Sequence, residues 1–194
     1  MDHDGSMEPR AQYLTTVELD GGLDHLRASP REEGIVALIV RRPAVGEREV
    51  LDAGELDLEI GLVGDNWSTR GSSSTPDGEA DPNSQLNVMN ARLAALVAQT
   101  PERWGLAGDQ LYLDLDLSVA NRPAGTQLEL GSATIEVTAK PHLGCAKFTQ
   151  RFGRDAMRFV NSPVGKELRL RGLCAKVVRA GIVARGDTVI VHRP

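Results

Sequence analysis

Cys145 closes the run Lys140-Pro141-His142-Leu143-Gly144-Cys145, inside the one strongly basic stretch of an acidic chain. From Lys140 to Arg179, ten Lys or Arg stand against two carboxylates, Asp155 and Glu167, a local balance of +8 in a chain whose net charge is -5. A thiol beside concentrated positive charge has its thiolate form favoured, and the thiolate is both the nucleophile and the soft metal ligand. The competing reading is that Cys145 is one more small buried hydrophobe, the common fate of a free cysteine. Pro141 has no N–H for a strand ladder, so the preceding strand should end there, and Gly144 permits close backbone approach or a positive φ just before the thiol. His142, three residues before the thiol, titrates near neutral pH.

Other chemistry-bearing residues point elsewhere. Cys174 lies between Leu173 and Ala175 at the start of an apolar strand, where a buried structural role is expected. The two cysteines form no CxxC pair, and His3, His25, His142 and His192 show no metal-ligand spacing. Asp114 and Asp116 sit two apart on the polar side of an alternating run, the usual pattern of solvated strand carboxylates. The acidic balance argues against nucleic-acid binding. No apolar run approaches the roughly 20 residues that span a bilayer, the N-terminus is polar and acidic, and two free cysteines suit a reducing compartment. A cytoplasmic protein without a membrane partner is therefore expected.

The elements that must position Cys145 can be read around it. Residues 1–10 read as a disordered tail and residues 11–194 as one domain. Residues 35–40 form a continuous apolar, β-branched run that reads as a buried strand. Residues 71–78 read as a polar loop. Pro82, followed by Leu86, Met89, Leu93, Leu96 and Val97 at helical spacing and by Pro101, predicts that residues 84–99 form the longest helix. Leu111, Leu113, Leu115 and Leu117 alternate with polar residues, which predicts a half-buried strand. Residues 127–130 and 133–139 read as a hairpin turning at Gly131-Ser132 that delivers the chain to Cys145. A short helix is expected over residues 155–161, and closing strands over residues 175–178 and 188–191. Many short strands with turn glycines and few helices predict a mostly β, barrel-like domain, chiefly antiparallel.

Pro141-His142-Leu143-Gly144-Cys145, Arg151-Phe152-Gly153, Leu170-Arg171-Gly172-Leu173-Cys174-Ala175-Lys176-Val177-Val178 and Gly181-Ile182-Val183-Ala184-Arg185-Gly186-Asp187 resemble the C-terminal half of a MOSC domain. That domain occurs at the C-terminus of molybdenum cofactor sulfurases, in the amidoxime-reducing proteins and as small stand-alone bacterial proteins. Gly61-Leu62-Val63-Gly64-Asp65-Asn66-Trp67 and Leu106-Ala107-Gly108-Asp109-Gln110 resemble the two glycine- and aspartate-bearing turns of its first half. Members often have Arg at the position of His142, and larger ones carry a further N-terminal barrel-like domain for which 194 residues leave no room.

The resemblance implies a twisted MOSC-like β-barrel, similar to the barrel domain of pyruvate kinase, with a few helices. It implies binding of the molybdenum cofactor, with Cys145 completing the coordination of the pterin-bound metal and Cys145 and His142 as the catalytic residues. Arg151, Arg154, Lys166, Arg169 and Arg171, together with Asn66, would hold the cofactor, since arginine offers bidentate contact to phosphate. The implied reaction is reduction of N-hydroxylated compounds, with a redox protein as partner. The alternatives are a sulfur carrier that receives a Cys145 persulfide from a donor protein and passes it on, and a binding module without turnover. Relatives fused to a sulfurase use pyridoxal phosphate in that other domain, so that link is one of family association only.

Overall fold

A computed structural model describes residues 13–72 and 75–194, which leaves the expected tail and two residues of the 71–78 loop outside the described part. The chain runs through α1 (Thr16–Gly21), α2 (Leu23–Arg27), β1 (Glu33–Arg41), β2 (Glu49–Leu51), β3 (Ala53–Asp57), β4 (Gly61–Leu62) and α3 (Trp67–Arg70). A 3-10 turn (Pro82–Ser84), β5 (Leu86–Asn90), α4 (Ala91–Ala98), a second 3-10 turn (Pro101–Ala107) and β6 (Leu111–Asp114) follow. The second half holds β7 (Gln127–Leu130), β8 (Ala133–Val137), α5 (Ala146–Asn161), α6 (Pro163–Glu167), β9 (Leu173–Arg179), β10 (Gly181–Ala184) and β11 (Thr188–His192).

Seven strands close into a barrel in the order β11-β7-β8-β9-β5-β6-β1, with β1 returning to β11. Only the β5–β6 pairing in this barrel is parallel. Closure works because β1 is nine residues long and bulged between Val36 and Leu38, so Glu33–Ile35 pairs with β11 while its later residues pair with β6 and β2. Strands β3, β4 and β10 make a separate three-stranded sheet. The expected mostly β barrel with a few helices is the fold observed. No helix among the described residues is long and apolar enough to cross a membrane.

Two apolar layers explain which strands the sequence shows plainly. Inward residues such as Val36, Val88, Leu113, Leu128, Ile135 and Val177 fill the barrel. A second layer packs α1, α4 and α5 against the outside of β1, β5 and β6 through Leu38, Met89, Tyr112, Leu93, Phe148 and Phe159. Strands β5 and β6 are therefore buried on both faces, and Tyr112, an expected outward residue, is fully buried.

That burial corrects the expectation of a long helix over residues 84–99. Residues 86–90 are strand β5, and the helix is the eight-residue α4. Leu86 and Val88 point into the barrel and Met89 into the helical layer, so a doubly buried strand running straight into a helix mimics one helical stripe. Asn90 makes the break. Its backbone is extended, its side chain accepts from the N–H of Arg92, and its amide donates to Ser29 Oγ (2.8 Å) and the Leu115 carbonyl (2.9 Å). The span α5 is two helical stretches that meet at Gly153, and the second takes in the expected segment 155–161. Phe148, Phe152, Ala156 and Phe159 are buried along it, and Gly153, at φ 90° and ψ 169°, breaks the helical backbone between the two stretches.

Candidate functional site

Four consecutive carbonyls gather the site. The 3-10 turn Pro101–Ala107 ends on Gly108 in the left-handed conformation (φ 92°), and helical ends leave their last carbonyls without internal partners. Each of these carbonyls accepts from a different guanidinium: Gly105 from Arg48 Nε (3.3 Å), Leu106 from Arg151 Nη1 (2.7 Å), Ala107 from Arg171 Nη2 (3.0 Å) and Gly108 from Arg42 Nη1 (2.9 Å). The arginines come from four places in the chain: the residue after β1, the loop before β2, helix α5 and the approach to β9. A row of aligned carbonyl dipoles is what lets like charges assemble.

Two buried carboxylates hold the innermost pair. Asp65 accepts from Arg42 Nε (2.8 Å) and Nη2 (2.8 Å), from the Arg42 backbone N–H and from that of Trp67, so it fixes the turn after β4 to the end of β1. Asp109 receives Arg171 Nη1 at 2.7 and 2.9 Å and lies 2.8 Å from His142 Nε2. Burial alone raises the Asp109 pKa, but Arg171 and His142 outweigh it and hold the carboxyl below its usual range. For His142, burial and then the Arg171 charge depress the pKa despite Asp109, so the ring is neutral at neutral pH and donates Nε2–H to Asp109. The Arg171 guanidinium also stacks 5.2 Å above the Phe148 ring.

In front of this row opens a cavity of about 330 Å³. Five arginines (Arg42, Arg48, Arg70, Arg151, Arg171) and Lys147 line it, together with Cys145 and without a carboxylate. Partial burial, then the charges of Arg151 and Arg42, hold the Arg48 guanidinium below its usual pKa, a direct sign of crowded positive charge. Asn66 also lines the cavity, and its buried Oδ1 has no hydrogen-bond partner. Asn87 sits at the wall, where its Oδ1 accepts from the Cys174 thiol (3.5 Å).

Cys145 is exposed, directly before α5. Gly144 is where the sequence asks for close approach: a Cβ there would lie 2.6 Å from Met157 Sδ, and Asn161 near the far end of α5 clamps its N–H (3.0 Å) and carbonyl (3.3 Å). Strand β8 ends at Val137, four residues before Pro141, so residues 138–145 form the connection that carries the thiol to the cavity rim. Cys174 is buried, and burial with the nearby Asp109 charge pushes its thiol up to about 11.

The ten cations of the basic stretch do not form one patch. Of the expected site residues, Cys145, Asn66, Arg151 and Arg171 meet in the Cys145 cavity. His142, Lys166 and Arg169 line a second cavity that shares Arg171 with the first. Arg154 is exposed and lines neither. Lys176 and Arg179 pair with Glu136 and Glu129 on the barrel surface. Sequence reasoning missed Arg42, Arg48, Arg70, Lys147 and Asn87. For Arg42 a signal existed in the Arg41-Arg42-Pro43 end of an apolar strand followed by the Asp65 turn, because a carboxylate at a tight glycine turn needs a partner. For Arg48 and Arg70 none existed, since both lie in the acidic half of the chain.

Among the described residues no group of three or more His, Cys, Asp or Glu is placed to hold a metal ion. No family model and no curated protein matches the chain in sequence. Solved structures do match in fold. The YuaD protein from Bacillus subtilis superposes with a TM-score of 0.56 at 14% identity, over 84% of this chain and 97% of that one. A protein described only as hypothetical gives 0.59 at 20%, covering 84% and 70%. YiiM from Escherichia coli gives 0.52 at 21%, covering 82% and 70%. What these likenesses establish is a shared barrel fold across most of the chain.

Proposed function

We propose that the chain is a MOSC-domain protein that binds the phosphorylated molybdenum cofactor, with Cys145 as the protein's ligand to the metal, and reduces N-hydroxylated compounds. The observation that carries the reading is the convergence of one exposed thiol and six cations on a single carboxylate-free cavity. A phosphate fits the cations, since anchored guanidinium groups keep further N–H donors for it. A soft metal that brings its own sulfur ligands fits a centre with one thiolate and no cluster of other donors. The unpartnered Asn66 Oδ1 is an acceptor that a pterin N–H would satisfy.

In this reading the chain's own residues bind and orient. Arg151, anchored by the Leu106 carbonyl, Arg48, anchored by the Gly105 and Glu47 carbonyls, and the exposed Lys147 take the phosphate. Arg42 and Arg171, locked by Asp65 and Asp109, form a fixed inner wall. The Asn161 clamp on Gly144 sets where the Cys145 sulfur stands. A bound cofactor would supply the two-electron chemistry, with electrons drawn from a redox protein. The choice of N-hydroxylated compounds as substrate rests on the motif resemblance.

A sulfur-carrier reading draws on the exposure of Cys145, which leaves the sulfur reachable by a donor protein. The test of the main reading is cofactor retention. Protein purified from a cofactor-competent host is oxidised and assayed for the fluorescent pterin product, beside Lys147→Ala with Arg151→Ala. The wild type is expected to yield pterin and the double variant several-fold less. A wild type free of pterin overturns the reading.

A further inference from the structure

The second cavity lies on the other side of Arg171 and encloses about 250 Å³. Lys140, His142, Lys166, Arg169 and Arg171 line it, and as in the first cavity no carboxylate does. These cations are committed unequally. Arg171 is taken up by Asp109 and the Ala107 carbonyl, and Lys140 pairs with Asp81. Arg169 gives only Nη1 to the protein, to the Arg122 carbonyl (2.5 Å), and Lys166 stands exposed; neither has a carboxylate within ion-pair distance among the described residues. Arg169 is one of two described non-glycine residues with positive φ, at 47°, a conformation rare for a long side chain. The backbone around it is fixed in that turn by Gly172 N–H to its carbonyl (2.7 Å) and Leu170 N–H to Gly165 (2.8 Å). The turn thus aims Arg169 at the cost of local strain, and strain of this kind is found where side-chain placement matters.

The rest of the wall is apolar and comes from Val119, Pro141, Leu143, Val160 and Leu173. His142 spends Nε2 on Asp109, and its Nδ1 has no protein partner among the described residues.

We propose that this cavity is a second ligand site, which takes a small phosphate monoester. Lys166 and Arg169 bind the phosphate, and the apolar wall holds the organic part. The size suits a molecule of a few carbons or one ring, smaller than an ordinary drug-sized ligand pocket. Occupancy is independent of Cys145, which lines only the other cavity. Arg171 lines both cavities, and Asp109 ties it to His142 on the second one's wall.

The test titrates phenyl phosphate and inorganic phosphate into the full chain, followed by backbone amide NMR shifts. Four proteins are compared: wild type, Lys166→Glu, Lys147→Glu and Cys145→Ser. Lys166 and Lys147 are exposed, so neither change disturbs a buried contact. Phenyl phosphate is expected to shift the amides of Leu143, Gly172 and Leu173, and to bind at least about tenfold more weakly to Lys166→Glu, a loss of roughly 1.4 kcal/mol. Lys147→Glu and Cys145→Ser are expected to leave those shifts and that affinity unchanged. Tighter binding of phenyl phosphate than of inorganic phosphate identifies an ester site; equal affinity overturns the ester assignment. Shifts confined to the Cys145 cavity, or undiminished in Lys166→Glu, overturn the site altogether. Loss of pterin retention by the Lys147→Ala and Arg151→Ala pair is a separate result that leaves this one standing.

Discussion

At the scale of single residues, the two cysteines divide by burial. With one equivalent of iodoacetamide on folded protein, Cys145 is expected to alkylate, while Cys174, buried and with its thiol pushed up to about 11, reacts only after unfolding. Peptide mapping of the labelled protein decides it, and equal labelling of both sites contradicts the assignment. Asp109 carries more of the structure than either thiol. Asp109→Ala strands Arg171 and unties His142, and breaking a buried pair by removing one partner costs about 3–5 kcal/mol. Urea unfolding measures this, and a loss below about 1 kcal/mol would show that water replaces the carboxylate. The same cluster sets a pH dependence. The unfolded chain protonates His142 near 6.5, and the folded chain does so only at lower pH. Stability is therefore full above about 6.5 and falls as pH drops below it, by up to about 1.4 kcal/mol per pH unit. Asp109, depressed from 3.8, extends the decline in the same direction at lower pH. His142→Gln should flatten the step between pH 7 and 5, and an unchanged slope in that variant contradicts the neutral assignment.

At the scale of elements, alternation was legible where a strand keeps a partly wet face, as in β7, whose hairpin with β8 turns where the pattern puts it, although β8 ends two residues earlier than expected, at Val137. It failed where both faces are dry. Leu86, Val88 and Met89 read as helix because no polar residue marks an outer face, and the break at Asn90 shows only through its buried bonds. Asn90→Ala is accordingly expected to cost about 2 kcal/mol or more, because it removes a cap and leaves Ser29 and the Leu115 carbonyl without their donor. A cost of only a few tenths in chemical denaturation would mean that the cap is replaceable. The full length of α5 was illegible for a different reason. Gly153 interrupts its pattern: glycine alone takes a φ of 90° without strain, and Tyr13 packs where a Cβ would stand, at 2.9 Å.

At the scale of the molecule, the barrel was legible in the sequence and the cavity was not. Charge summed along the chain placed the basic centre in residues 140–179, whereas the folded cavity takes Arg42, Arg48 and Arg70 from the acidic half. What assembles them is a carbonyl row at the end of a 3-10 turn, which has no sequence signature because backbone carbonyls are common to all residues. The barrel brings the row, the two buried aspartates and the Cys145 connection to one opening. Molybdenum per chain, measured by elemental analysis on wild type and Cys145→Ser purified from the same cofactor-competent host, tests this account most directly. The account predicts close to one atom per chain in the wild type and a several-fold loss in Cys145→Ser, with the same unfolding midpoint in both, since Cys145 is exposed. A wild type without molybdenum, or a Cys145→Ser variant that keeps its full load, would contradict it.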